Sequence, residues 1–415
     1  MTLSEELVWR GLVNQTTFEK LQELDDKQWT FYHGFDASAD SQAVGNLAAM
    51  MLDKVFIRHG HTAILLAGGA TSLIGDPGGK DSERPMQSEE TIRHNIDRAE
   101  EQLKKIFAGQ DFRLVNNLDW TKDMKVLDFL RDIGKHFTMT SLLQRDYIAS
   151  RIGEEGSGIS YTEFSYTLLQ GLDYLHLYDE FGCSLQLGGA DQWGNCLSGV
   201  ELIRRKRGAE VHVITLPLVI NKATGKKFGK SEEGAVWLDP DKTSVYAFYQ
   251  FWLNVDDEGV ESYLKIFTEL NKPEVEDIMQ RFRADPSSRL AQKTLAYEVT
   301  RIVHGVERAE SVKRVTETLF GNGEYEALTP DDVLLLRTEL PSAQLASADD
   351  LVTALTATGL ASSNSEARRF IEQGAVYLNG KPAITGQAID AAGTVADGYV
   401  ILRRGKNSNA VIRVN

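Results

Sequence analysis

Apolar and polar positions alternate between two periods along the first 230 residues. Five short apolar runs, "WTFYHGF", "TAILLAGG", "FRLVNN", "SLQLGG" and "VHVITLPLVI", close on or near Gly, Asn or Pro. Runs of that length bounded by turn residues predict strands. Longer stretches of helical spacing separate them, as over 41–58 and 87–107. Strands and helices in alternation predict a parallel α/β sheet, where ligands bind at the carboxyl ends of the strands. From 236 to 320 the pattern turns helical, with Leu295, Val299, Ile302 and Val303 on one helix face. The stretch "TELPSAQLASADD" is small and polar and reads as a linker. Beyond it a helix pair precedes "AVYLNGKPA" and "YVILRRGKNSNAVIRV", and Asn-Gly between apolar runs predicts a hairpin. The expected organisation is an α/β domain over 1–230, an all-helical domain over 231–330, a linker over 331–346 and a small α+β domain over 347–415.

Composition narrows the class. A net charge of −15 over 415 residues argues against a uniformly cationic nucleic-acid coat, since phosphate contacts need Lys and Arg. Local patches remain open. One candidate is Arg204, Arg205, Lys206 and Arg207. Another is the last 73 residues, which carry 7 Lys+Arg against 6 Asp+Glu and so escape the general acidity. No apolar run approaches the ~18 residues of a membrane span, so no membrane partner is expected. The opening "MTLSEELVWR" has acids where a signal peptide carries basic residues. Two cysteines, Cys183 and Cys196, can build neither a zinc site unaided nor a disulfide framework. The expectation is a cytoplasmic protein with no protein-bound metal.

Four clusters carry candidate chemistry. In "GGATSLIGDPGGKDSER", glycines allow close backbone approach while Lys80 and Arg84 can meet phosphate, with Asp76 at the loop's start. In "EFSYTLLQGLDYL", Tyr166, Gln170 and Asp173 share one helix face, a polar stripe suited to a small zwitterion with a polar tail. In "LQLGGADQWGN", a strand ends in Gly-Gly and presents Asp191, Gln192 and Asn195, acceptors for a ribose or an ammonium group. In "KKFGKSEEGAVWLD", Lys227, Lys230 and Ser231 surround Gly229, so two cations could close over a polyphosphate. Each cluster alone is matched by a bland reading as a solvated turn or surface stripe; the complete KFGKS string is more specific.

In this order and spacing the clusters resemble a bacterial-type tyrosyl-tRNA synthetase over nearly the full length. The resemblance runs from "WRGLVNQTT" through "YHGFDASADS", "LIGDPGGKDSER", "NNLDW", "YTEFSYTLLQGLD", "GGADQWGN" and "KFGKS" to an S4-like tail, "SSNSEARRFIEQGAVYLNG". It implies a Rossmann-like catalytic domain, a helical anticodon-binding domain and an S4-like RNA-binding domain. Tyr32 and Asp173 match the pair that reads the substrate phenol; Asp76, Tyr166 and Gln170 match the ammonium contacts. Asp191 and Gln192 match contacts to the ribose and the reacting carboxylate. Gly34, Asp36 and Ser38 match the first signature loop, and Gly45 and Asn46 the start of its helix. Lys80, Arg84, Lys227, Lys230 and Ser231 match the groups that follow the pyrophosphate. Arg368, Arg369, Arg403, Arg404 and Lys406 concentrate charge in the RNA-binding tail. The implied substrates are L-tyrosine, ATP with Mg²⁺, and tRNA(Tyr), and the implied assembly is a homodimer.

The chain departs from the family's signature at one position. Where the family has a histidine that donates to an ATP phosphate, "FYHGFDASADSQAVGNL" has Ala43. A methyl cannot donate, which implies a weakened activation step. Gln42 leaves the helix start in another direction, and His33, beside Tyr32, is expected to be packed or solvated. His59 and His61 are expected in a helix-to-strand turn. The rival readings are a non-acylating paralogue that binds tRNA or adenylate, and a tryptophan-specific relative, which the Tyr32/Asp173 pair and the S4-like tail both disfavour.

Overall fold

The computed structural model describes residues 1–76, 86–143, 146–152, 158–222, 224–225, 227–231, 234–321, 323–396 and 398–415. Two compact units divide the chain, one of 1–244 with 251–303, the other of 245–250 with 304–415.

The first unit is built on a six-stranded sheet of β1 (Gln15–Thr16), β2 (Thr30–Phe35), β3 (Thr62–Ala67), β4 (Phe112–Asn116), β5 (Leu185–Gly189) and β6 (His212–Leu216). All five expected strands form. Their order is β1-β6-β5-β2-β3-β4, and only the edge strand β1 runs antiparallel to its neighbour. β3 and β6 are buried on both faces, the reason they read as unbroken apolar runs rather than alternating ones. Helices Val44–Arg58 and Glu89–Ile106 follow β2 and β3; Tyr161–Phe181 precedes β5, and Trp193–Arg207 links β5 to β6. The chain leaves β2 towards β3 and β4 on one side, and β5 towards β6 on the other. That divergence opens a crevice at the carboxyl ends of β2 and β5.

Two glycines set the helix packing beside the crevice. A Cβ on Gly199 would stand 2.6 Å from the Tyr174 ring, and one on Gly171 would stand 3.4 Å from the Ser198 backbone. The Tyr161–Phe181 and Trp193–Arg207 helices therefore approach more closely than larger residues would permit. The basic run 204–207 is partly paired: Arg204 and Arg205 share Glu201, Arg207 bonds Asp179, and Lys206 donates to the Asp132 carbonyl. Two carboxylates offset part of its charge, and Arg204, Arg205 and Arg207 keep exposed side chains. His59 and His61 do lie in the turn before β3, bonded to Glu6 and to the Trp29 amide.

The second unit carries a five-stranded sheet of β9 (Ser342–Leu345), β10 (Val376–Leu378), β11 (Lys381–Pro382), β12 (Tyr399–Arg404) and β13 (Ser408–Val414), β7 (Lys230–Ser231) and β8 (Gly234–Ala235) being a small separate ribbon of the first unit. Alternation along β12 and β13 serves two cores. Val400, Leu402, Ala410 and Ile412 pack with Leu351, Leu355 and Ile371. Ile401 and Val411 face the other way, onto Val315, Leu319, Val333 and Leu336 of the Val306–Phe320 and Pro330–Glu339 helices. The expected hairpin forms at Asn379-Gly380, whose φ values of 45° and 75° suit a mirror-image turn. The segment 331–346, expected as a linker, instead holds most of the Pro330–Glu339 helix and then β9, which pairs in parallel with β13. β9 is an edge strand held by its backbone with half its side chains exposed, so its small polar residues resemble a linker. The compact unit accordingly begins before the expected boundary at 330. No helix among the described residues is long and apolar enough to cross a membrane.

Candidate active site

A cavity of about 430 Å³ occupies the crevice between β2 and β5. One side of it is made largely of buried side chains. Tyr32, on β2, is fully buried against Tyr174, and its hydroxyl has no hydrogen-bond partner. Asp173 descends from the Tyr161–Phe181 helix. One carboxyl oxygen accepts from Trp120 Nε1 at 2.9 Å, the other from Asn117 Nδ2 at 2.9 Å. Burial pushes the Asp173 carboxyl up to about 7, although both donors pull it down. Two more buried oxygens in the wall lack partners, Gln170 Oε1 and Gln186 Oε1. A buried unpaired polar atom costs about 1–3 kcal/mol, so a cluster of them marks where a polar ligand is accommodated. Nearby, the Tyr166 hydroxyl donates to Asp36 at 3.2 Å and Gln192 Nε2 donates to Asp76 at 2.6 Å.

The opposite side is made of backbone and small residues. Gly34 lies in β2, and Asp36 and Ser38 follow it; Gly45 and Asn46 begin the Val44–Arg58 helix, and Asp191 follows β5. Ala43 is the N-cap of that helix and gives it no side-chain acceptor. The Ala43 amide donates instead to Asn46 Oδ1 at 3.0 Å. Gln42 lines the cavity, whereas Ala43 does not. His33 also lines it, with Nδ1 2.8 Å from the buried Asp53 carboxylate. Burial alone lowers a histidine pKa, but the Asp53 charge and hydrogen bond outweigh it and leave His33 raised. His33 is thus a paired member of the wall rather than a solvated residue.

Lys227 lines the same cavity, and its neighbours explain its placement. Phe228 stacks on Tyr263 at 4.3 Å and meets Phe251, Trp252 and Phe267 at 5.3, 5.4 and 5.7 Å. Gly229 has φ +94°, and a Cβ there would stand 3.0 Å from the Gly45 nitrogen. Positive φ and close approach together require glycine.

The cavity therefore gathers Tyr32, Asp76, Tyr166, Gln170, Asp173 and Gln192 with Gly34, Asp36, Ser38, Gly45, Asn46, Asp191 and Lys227. Lys80 and Arg84 lie outside the described residues, as do the side chains of Lys230 and Ser231. Sequence reasoning did not assign Asn117, Trp120, Gln186 or Phe228 to the site. The first two stand in the quoted "NNLDW" string, but an amide and an indole carry no signal of their own.

In the second unit the five tail cations are not equivalent. Arg369 and Arg404 both lie over the Phe370 ring, at 5.4 and 4.9 Å. Arg404 also donates to the Leu360 carbonyl at 2.6 Å, so it braces the fold. Arg403 covers Tyr377 at 4.3 Å, while Arg368 and Lys406 are exposed.

Comparison with known proteins agrees with this geometry. The profile of the family described as tRNA synthetases class I (W and Y) matches residues 24–321, and that of the tyrosine–tRNA ligase SYY-like C-terminal domain matches residues 332–412. The tyrosine–tRNA ligase of Geobacillus stearothermophilus is 45% identical over 424 aligned residues, covering 100% of both chains. That of Listeria welshimeri is 43% identical over 415, covering 98% of each. A solved structure of the C-terminally truncated mitochondrial tyrosyl-tRNA synthetase of Aspergillus nidulans is 32% identical with a TM-score of 0.70, covering 77% of this chain and 94% of that one. With its catalytic and C-terminal parts both matched, this chain belongs to the class I tRNA synthetases, in the family of tyrosine–tRNA ligases.

Proposed function

We infer that the protein is a tyrosine–tRNA ligase. It activates L-tyrosine with ATP to tyrosyl adenylate and pyrophosphate, then passes the tyrosyl group to the 3′-terminal ribose of tRNA(Tyr). The observation that carries this reading is the unpartnered Tyr32 hydroxyl in the same cavity as the Asp173 carboxyl. A phenol hydroxyl can donate to Asp173 and accept from Tyr32, whereas phenylalanine leaves the Tyr32 hydroxyl unmet.

The substrate carboxylate attacks the α-phosphorus, the bond to the bridging oxygen breaks, and pyrophosphate leaves with its charge. No protein nucleophile is needed; catalysis rests on positioning and on donors aimed at the moving charge. Asp76, Tyr166 and Gln170 hold the ammonium group, Gln192 the reacting carboxylate and Asp191 the ribose. Gly34, Asp36, Ser38, Gly45 and Asn46 frame the nucleotide. Lys227 and Lys230, with Ser231, Lys80 and Arg84, follow the pyrophosphate. Mg²⁺ enters with ATP as part of the substrate and shares the phosphate charge. Among the described residues no cluster of three or more His, Cys, Asp or Glu could hold a metal of its own. With alanine at position 43, activation proceeds without one phosphate donor, relying on backbone N–H groups at the helix start.

The helical domain reads the anticodon, and the tail cations Arg368, Arg369, Arg403, Arg404 and Lys406 contact tRNA. The working form is a cytoplasmic homodimer. Exposed Val126, Leu127, Leu130, Met139 and Leu143 supply an apolar face in the first unit for a second copy. Light scattering should give a dimer at micromolar concentration; an active monomer refutes the assembly.

Ala43 favours the second reading, a paralogue that binds tRNA or adenylate without acylating. Tyrosine-dependent ATP–pyrophosphate exchange, followed by charging of tRNA(Tyr), separates the two. Exchange and charging support the ligase; tRNA binding with neither supports the paralogue.

A further inference from the structure

Two polar side chains one turn apart on the Glu89–Ile106 helix lie outside the cavity lining, yet they hold the backbone that leads into it. Gln102 Oε1 accepts from the Gln42 amide at 2.9 Å, and its Nε2 donates to Ser41 Oγ at 2.9 Å. Ser41 Oγ donates in turn to the Gln42 carbonyl at 2.8 Å and accepts from the Asp239 amide at 3.2 Å. Arg98 donates to Asp239 Oδ2 at 2.6 Å, while Asp239 Oδ1 accepts from the Asp241 amide at 2.9 Å. Ser41, Gln42, Gln102 and Asp239 are all buried.

The knot joins two stretches of chain that both lead into the cavity. Val44 N donates to the Val236 carbonyl and Leu238 N to the Gln42 carbonyl, each at 2.9 Å. On one side the chain enters the Val44–Arg58 helix with Gly45 and Asn46. On the other, Val236 N donates to the Gly229 carbonyl at 3.0 Å, two residues from Lys227. A buried polar network whose members satisfy one another fixes a single geometry, because any slip leaves an unpaired group in a dry setting.

We propose that Gln102 and Arg98 are positioning residues for adenylate formation, fixing the junction where the start of the signature helix meets the chain leaving the lysine-bearing segment. The inference rests on the ligase reading. It predicts that the two side chains govern the rate of activation while leaving the tyrosine side of the cavity untouched, since neither they nor their partners contact Tyr32 or Asp173. A small misplacement of reacting groups is enough to slow a reaction that depends on alignment.

The test uses the full chain. Gln102→Met keeps length and packing but removes both hydrogen bonds; Arg98→Gln removes the charge and Arg98→Lys keeps it. Single-turnover formation of tyrosyl adenylate with MgATP is measured beside tyrosine affinity by equilibrium dialysis. The expected result is a rate lowered about tenfold or more in Gln102→Met and Arg98→Gln. Tyrosine affinity stays within about twofold, and Arg98→Lys recovers most of the rate. Rates equal to the parent overturn the inference, as does a joint fall of rate, tyrosine affinity and melting temperature. Should Gln102→Met fail to fold, the two Arg98 variants decide alone. A parent without tyrosine-dependent activation overturns the ligase reading and the inference with it; an active parent with unchanged variants overturns the inference only.

Discussion

The two sides of the cavity are built from different materials. The side proposed for the amino acid uses mostly buried side chains, some seated by others, as Asp173 is by Asn117 and Trp120. The side proposed for the nucleotide uses backbone, glycines and exposed polar residues, backed by the hydrogen bonds of Gln102 and Arg98. Discrimination between similar amino acids needs fixed, desolvated partners, because leaving them unmet is what penalises the wrong ligand. Stabilising charge that moves during reaction needs donors delivered at the right place and moment. On the proposed reading, alanine at 43 weakens the second function and leaves the first intact.

The sharpest way to break this contrast is on the amino-acid side. Asp173→Ala should lower the preference for tyrosine over phenylalanine by about 10²-fold, read from the affinities of both, since a buried partner of the phenol hydroxyl is lost. An unchanged preference would remove Asp173 from the phenol site. Trp120→Phe deletes one of the two donors to Asp173 and keeps the stacking on His176. It should weaken tyrosine about tenfold and ATP hardly at all; equal losses for both substrates would erase the distinction between the two sides.

A smaller effect appears with pH. The Asp173 carboxyl is raised to about 7 from the ordinary 3.8, with burial the chief cause. The folded protein therefore holds a proton that the unfolded chain has lost across this window, and stability falls as pH rises from about 4 to 7. Asp173→Asn removes that slope. Whatever its constant offset, its melting temperature should gain on the parent's between pH 5 and pH 7.5; parallel curves would contradict the raised value. The smallest effect belongs to the tail. Arg369→Ala should reduce the salt slope of tRNA binding by about one charge and leave activation unchanged. A loss of activation in that variant would contradict the division of labour between the two units.

Much of the fold was legible because periodicity reports burial. β3 and β6 are buried on both faces and read as unbroken runs; the Asn379-Gly380 turn needs left-handed backbone and shows it in its residue types. β9 was not legible, since an edge strand held by backbone bonds needs no apolar side chains. Motif order singled out the residues that folding gathers around one cavity. It did not single out their supports: Gln102, Arg98 and Asp239 are separated by up to 141 positions in sequence and become a network only on folding. The partners of the basic run at 204–207 were equally invisible, since folding brings Asp179 and the Asp132 carbonyl near.

The contrast between the two sides is tested most directly at position 43, by single-turnover formation of tyrosyl adenylate in the parent and in Ala43→His, with tyrosine affinity measured in both. If the nucleotide side lacks one transition-state donor while the amino-acid side is complete, the variant should form adenylate about 10²-fold faster with tyrosine affinity unchanged. Equal rates in the two proteins, or a gain in rate matched by a gain in tyrosine affinity, would contradict it.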